Sequence, residues 1–318
     1  MLSISIFGYF SISFLQVTGF VILIHFLMSL IDRIHYLSFK APKIPIGQRR
    51  QIKWKTQNPV LIDTSEYYQL HFTFVSIMIV PYEKNVLYVD GLIKEQTPEE
   101  CKGDEYVLTY QERLHSYIHN KMNADFFKHI ESYIFLSLLY IFNFLSEIII
   151  NCLVLLPNLM SAVNAIFELC FYYIEEIEDH FKILPKNNTF CKVFLWHYYE
   201  EIEHNQESCS LFIKYQGAYR YFYCVVGFVV LYLLILSIQI FTMLTIIFVS
   251  PLNKKLHLLL QAYNHTCKWS GCLILGMLLL IFNLNADDNI VQKDLERFRK
   301  LYKERFNEAL EDGVVTFE

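Results

Sequence analysis

Apolar residues gather in long runs along this chain, and the polar positions between them recur at helical rather than alternating spacing. Residues 4 to 31 carry no formal charge and only His25 interrupts them, a run long enough to cross a bilayer as a helix. A cleaved leader would open on basic residues; here Arg33, Lys40, Lys43, Arg49 and Arg50 follow the run instead. It therefore reads as an anchor whose downstream side faces the cytoplasm, or the matrix of a mitochondrion. Pro42, Pro45, Gly47 and Pro59 then mark an irregular linker. Pro81 stands where the first residue of a helix would, with Glu83 two positions on. Thr97-Pro98-Glu99-Glu100 and Gly103-Asp104 signal a break and predict a new helix over about 104–124.

Further along, residues 129 to 156 are apolar, with Glu131 and Glu147 as their only charged groups, and Pro157 opens a helix that holds Glu168. Pro185 to Thr189 reads as a loop, Thr189 capping the helix that follows. Residues 221 to 250 form the cleanest membrane-crossing pattern, without a charge until Lys254 and Lys255. A shorter apolar segment, 269 to 284, returns through the membrane or lies in it. The tail from Asp287 reads as a solvated helix. The expected fold class is all-α: a four-helix metal-binding bundle with membrane-embedded helices. Its divisions are an anchor at 1–32, a linker at 33–65, the bundle at 66–215, membrane-embedded helices at 216–285 and a polar C-terminal helix at 286–318.

Composition sharpens the membrane expectation. The 318 residues are 54% hydrophobic and 19% charged, with 27 Phe and 22 Tyr against 10 Gly, more apolar side chain than a soluble domain of this length needs. This makes the chain an integral membrane protein in contact with lipid, its bundle on the cytoplasmic or matrix side. A net charge of −5 gives no reason to expect nucleic acid as a partner. The eight cysteines are scattered without a Cys-x-x-Cys and read as buried apolar groups in a reducing compartment.

The chemistry is concentrated in two places. Glu201 and His204 lie one helical turn apart in the segment Trp196 to His204, and Glu112 and His115 repeat that spacing in Gln111 to His119. Residues three apart share a helix face, so each pair can grip one metal ion. Four-helix bundles that hold two iron or manganese ions use two such pairs plus one Glu from each of two other helices. Glu83 precedes Glu112 by 29 residues and Glu168 precedes Glu201 by 33, gaps that suit a helix and its antiparallel return, used twice. The expected metal ligands are thus Glu83, Glu112, His115, Glu168, Glu201 and His204, around two iron ions or manganese in their place. Glu147 competes with Glu168, but a lone carboxylate amid an apolar helix is costly unless paired, and the spacing favours Glu168. His119 and His197 fall on the ligand stripes as extra ligands, proton relays or groups that orient the carboxylates. Glu200 and Glu203 point off the stripe, toward solvent or an outer layer of the site. The bland alternative is a helical bundle with incidental glutamates.

At these residues the chain resembles a bacterial family described as predicted metal-dependent hydrolases. The resemblance rests on Pro81-Tyr82-Glu83, on Gln111 through His119, on Ala165 to Glu168 and on Trp196 through His204, and covers roughly residues 60 to 250. It implies a ferritin-like bundle and the same ligand set. The chain departs from the family after His204, where Ser208-Cys209-Ser210 replaces an Ala-Phe-Asp-type run, and it lacks the family's Phe-His-Pro ending. Carboxylate-rich helical sites with two His resemble oxygen-using di-iron oxidases, so the leading expectation is a membrane-bound oxidoreductase acting on an apolar or lipid-like small molecule. A metal-dependent hydrolase, and a non-catalytic scaffold subunit of a membrane complex, are the alternatives; membership of an oligomer or larger assembly is compatible with each.

Overall fold

The computed structural model describes residues 51–54, 59–94, 102–153, 155–170, 189–216, 220–282, 288–306 and 314–317. The expected anchor and most of the linker lie outside them. Among the described residues there are eight helices: α1 Tyr67–Lys94, α2 Lys102–His129, α3 Tyr133–Leu153, α4 Pro157–Cys170, α5 Thr189–Gln216, α6 Arg220–Phe248, α7 Lys255–Phe282 and α8 Asp288–Phe306. The one departure from an all-helical chain is a pair of short strands, β1 Gln51–Trp54 and β2 Val314–Phe317. They run parallel, with Gln51 opposite Val314 and Trp54 opposite Phe317.

Four helices close a ring in which α1 packs on α2, α2 on α5, α5 on α4 and α4 on α1. Contacts between Ser76 and His119 and between Val80 and Ser116 run α1 and α2 antiparallel. Gln111 with Glu203, His115 with Glu200 and His119 with His197 do the same for α2 and α5. Around this ring, α6 packs on α7, α4, α1 and α3. The apolar core continues outward through Phe74, Phe135, Phe142 and Ile238.

Pro81 lies in the interior of α1, not at its start. The apolar face from Tyr67 to Ile79 is buried almost without interruption, and that burial holds the helix together across a residue lacking its backbone donor. Asn85 Nδ2 also donates to the Pro81 carbonyl, at 2.7 Å.

Helix α3 buries a single stripe, Phe135, Leu139, Phe142, Ser146, Ile150 and Leu153, and exposes apolar side chains elsewhere, Phe144 at 62% and Ile134 at 53%. Helices α3 and α6 are long and apolar enough to cross a membrane, by length and composition. Of the apolar stretch expected over 269–284, residues 269–282 form the second half of the longer helix α7, and the last two lie outside the described residues.

Helix α8 of the tail is solvated on one face only, where Lys293, Glu296, Lys300, Lys303 and Glu304 are exposed. Leu295, Phe298, Leu301 and Tyr302 of α8 are buried against α5, and Arg299 Nε donates to the Tyr199 hydroxyl at 2.8 Å. Polar residues dominate its composition, but the apolar ones fall at helical spacing and form a docking stripe. Strand β2 then follows, its Phe317 ring 5.6 Å from that of Trp196 on α5.

A candidate metal centre

Glu83, His115, His197 and Glu201, all buried, bring one ligand atom each to within 4.8 Å of one another. They come from α1, α2 and α5 of the ring. His197 Nε2 lies 2.6 Å from Glu201 Oε1 and 4.0 Å from Glu83 Oε1. His115 Nδ1 lies 3.3 Å from Glu201 Oε1 and 3.5 Å from Glu112 Oε2.

Glu112 is 1% exposed, and Glu168 on α4 is fully buried. Asn164 Nδ2 donates to Glu168 Oε1 at 2.5 Å, and the Tyr82 hydroxyl donates to Asn164 Oδ1. Glu147 is exposed and accepts a hydrogen bond from Asn143, away from this group. His204 lies on α5, but its side chain is outside the described residues. Glu200 and Glu203 are buried rather than solvent-facing. Glu200 Oε2 sits 3.1 Å from His115 Nε2, and Gln111 Nε2 donates to Glu203 Oε2 at 3.2 Å. The neighbouring helix α2 covers these off-stripe positions, which spacing along α5 alone does not reveal.

The crowding has electrostatic consequences. Burial pushes the Glu83 carboxyl well above the usual carboxylate range, and Glu112, Glu201 and Glu168 push it the same way. Burial lowers His115, but its contacts with Glu112, Glu200 and Glu201 outweigh this and hold it well above the imidazole range. His119 is held well below that range by burial and by His197 and His115. His197 is lowered by burial and by His115, against the pull of Glu201.

The hydrogen bonds behind His197 fix its tautomer. Asn123 Nδ2 donates to the Ser76 carbonyl at 3.1 Å, an acceptor only, which turns Asn123 Oδ1 toward the Ser76 hydroxyl. That hydroxyl donates to Oδ1 at 2.5 Å. Its single proton is then committed, so the His119 Nδ1–H donates to Ser76 Oγ at 2.8 Å. His119 Nε2 is left as an acceptor and takes the Nδ1–H of His197 at 2.7 Å. The proton positions follow from donor and acceptor capacity along the chain. They leave His197 Nε2 as a bare lone pair aimed at Glu201 and Glu83. With His197 neutral these are two acceptors 2.6 Å apart, which need a positive centre between them; a proton held by the carboxyl or by the imidazole supplies one, and so does a metal cation.

This donor set fits a metal. Carboxylates and neutral imidazoles are the ligands of iron, manganese and zinc, and a buried acidic cluster is stabilised by divalent cations. Glu83 Oε2 is buried and has no hydrogen-bond partner among the described residues, an oxygen suited to coordination. Glu200 stands behind His115, and Ser76 with His119 behind His197, in the positions of orienting partners.

Two features beyond the cluster escape the sequence patterns. An apolar cavity lies between α1, α4, α5, α6 and α7, with Met78, Phe167, Tyr198, Ile235 and Ile238 on its wall, and His197 on the wall as well. His71 and Trp269 also line it. Beside these two lies a second buried polar cluster. Trp269 Nε1–H donates to His265 Nε2 at 2.5 Å, so a neutral His265 carries its proton on Nδ1 and gives it to the Tyr67 oxygen at 2.7 Å. The Tyr67 hydroxyl in turn donates to Gln239 Oε1 at 3.0 Å.

The chain matches no family model, no curated protein and no solved structure.

Proposed function

We propose that the protein is a membrane-bound dinuclear-metal enzyme of ferritin-like architecture, a di-iron oxidoreductase acting on an apolar or lipid-like substrate. The observation that carries this reading is the buried group of Glu83, His115, His197 and Glu201, whose ligand atoms lie within 4.8 Å of one another. Behind it, Asn123, Ser76 and His119 on two other ring helices form a chain of hydrogen bonds that holds His197 with Nε2 toward two buried carboxylates. A scaffold has no use for that arrangement, since burying carboxylates costs stability unless they are paired. The ring of α1, α2, α4 and α5, supplying Glu83, Glu112 with His115, Glu168 and Glu201, supports the ferritin-like comparison and the motif resemblance to metal-dependent hydrolases.

Glu83, His115, His197 and Glu201 would hold one metal ion, with Glu112 and Glu168 on the side of a second. Bound as an iron pair, the metals supply oxygen activation and electron transfer. The chain's own residues do the rest. Glu200 accepts from His115 Nε2–H and so leaves Nδ1 facing the acids; Ser76 and His119 keep His197 from turning. Phe167, Ile235 and Ile238 line an approach to His197 that excludes water and polar reactants.

Membrane attachment is supported by the apolar side chains exposed on three helices: Ile134, Phe144 and Ile148 on α3, Val225, Val229 and Leu233 on α6, and Leu256 and Leu260 on α7. Lipid is the partner these surfaces suit. Elemental analysis of protein purified in native membranes tests the reading. Iron or manganese near two per chain is the expected result, and protein carrying neither would overturn it.

A further inference from the structure

We infer that the apolar cavity is the binding site of one hydrocarbon chain, entering at the α6–α7 side and ending against His197. The inference rests on the metal reading only for what happens at its inner end. The wall draws on five helices and is apolar apart from His71, His197, Tyr198 and the Trp269 indole. A polar ligand would bury its groups there with few partners, which a hydrocarbon-like setting disfavours. A linear alkyl chain has no such groups and gains from every methylene taken out of water.

Direction along the cavity is set by its two ends. His197 belongs to the buried metal-ligand group. Trp269 of α7, beside His265, and Val75 of α1 are the lining residues that are only half-buried, which puts the molecular surface next to them. Ile235 and Ile238 face the cavity from α6, while Val229, Leu233 and Ile240 of the same helix are exposed apolar residues. One helix therefore separates the cavity from a surface suited to lipid. A chain drawn laterally from a bilayer would meet a wall that is mostly apolar, Met78, Ile79, Phe167, Ile235 and Ile238 among it, on which His197 also lies.

The Tyr67–His265–Gln239–Trp269 cluster has a place in this arrangement. Trp269 spends its only donor on His265, and His265 is held in turn by Tyr67. The indole is therefore pinned and presents its ring to the cavity. A pinned apolar plate at an entrance guides a chain without hydrogen-bonding to it. The residues that pin it are buried polar groups whose hydrogen bonds satisfy one another and so hold the indole in place.

Trp269 also supplies the test. Full-length protein in lipid nanodiscs is titrated with 11,12-dibromododecanol, whose bromines quench indole fluorescence on contact. Saturable quenching is expected in the wild type and its loss in Trp269→Phe. Ile238→Phe and Ile79→Phe fill the cavity from two different helices, and each should raise the half-saturation concentration by about tenfold, the effect of overpacking by one ring. Circular dichroism identifies which of the two variants keeps the fold. The inference is overturned by the absence of saturable quenching, or by equal quenching in a folded filled variant, since the probe would then reach Trp269 from the lipid. Iron and manganese are measured on the same samples. Metal present without chain binding sinks this inference alone, and chain binding in protein that takes up no metal sinks the metal reading alone.

Discussion

His119 and His197 meet ring nitrogen to ring nitrogen at 2.7 Å, and their order of donation decides the chemistry of the site. His119 is the acceptor because Ser76 and Asn123 have already committed its other nitrogen as a donor. The neighbour His197 then has one free lone pair, and it points at acid.

Disturbing this chain of donors should weaken metal binding without removing a ligand. Ser76→Ala and Asn123→Ala are each expected to lower metal affinity by about 10–100-fold, the usual effect of losing an orienting partner. His197→Ala and Glu201→Ala should lose bound metal outright. Competition titration against a coloured chelator measures the first pair, and elemental analysis the second.

Glu83 predicts a pH dependence with a definite sign. Burial, then Glu112, raises its carboxyl, so the metal-free fold keeps a proton there that the unfolded chain gives up. The stability this proton represents is full below the ordinary glutamate range and is lost as pH rises through the raised value. A metal ion replaces the proton, so uptake should release protons and strengthen with rising pH. Calorimetry in two buffers of different ionisation enthalpy reads the released protons. Glu83→Gln should reduce the number released.

The two competing glutamates should separate cleanly. Glu168→Ala is expected to lower metal content, because the side chain is fully buried and acts on Glu83. Glu147→Ala should leave metal content unchanged, since that carboxylate is exposed on α3. Equal losses from the two variants would contradict the assignment.

Stability outside the site is sensitive where α6 approaches α4. A Cβ added at Gly227 would meet the Ala162 Cβ at 3.0 Å and the Val163 backbone nitrogen at 3.3 Å. Gly227→Leu should destabilise by about 1–3 kcal/mol through overpacking, seen as a lower midpoint in thermal unfolding. The metal content of the surviving fold should not change.

The parts of this molecule that follow from local spacing were legible in the sequence. Glu112 with His115 sits on α2, and the segment from Trp196 to Glu203 forms part of α5, because helical period alone assigns residues three apart to one face. What depends on a second element was not. Glu200 looks peripheral on α5 until α2 brings His115 to it, and α8 looks solvated until α5 supplies the surface for Leu295 and Phe298. Pro81 signals a helix start by itself, and only the buried face on both sides of it shows otherwise. The strands β1 and β2 are four residues each, too short to announce themselves, and gain their partners from opposite ends of the described chain.

That last pairing bears on the order in which the protein can be assembled. Strand β1 is made early and waits for β2, more than two hundred residues later, and such long-range contacts form slowly because the intervening chain must be gathered first. Phe317 of β2 packs on Trp196, whose ring lies 5.2 Å from that of His115. Part of the backing of the helix that carries Glu201 and His197 is therefore in place only once β2 has been synthesised and docked. Metal loading before β2 docks would meet a site lacking its Phe317 support, and loading afterwards would meet one that has it.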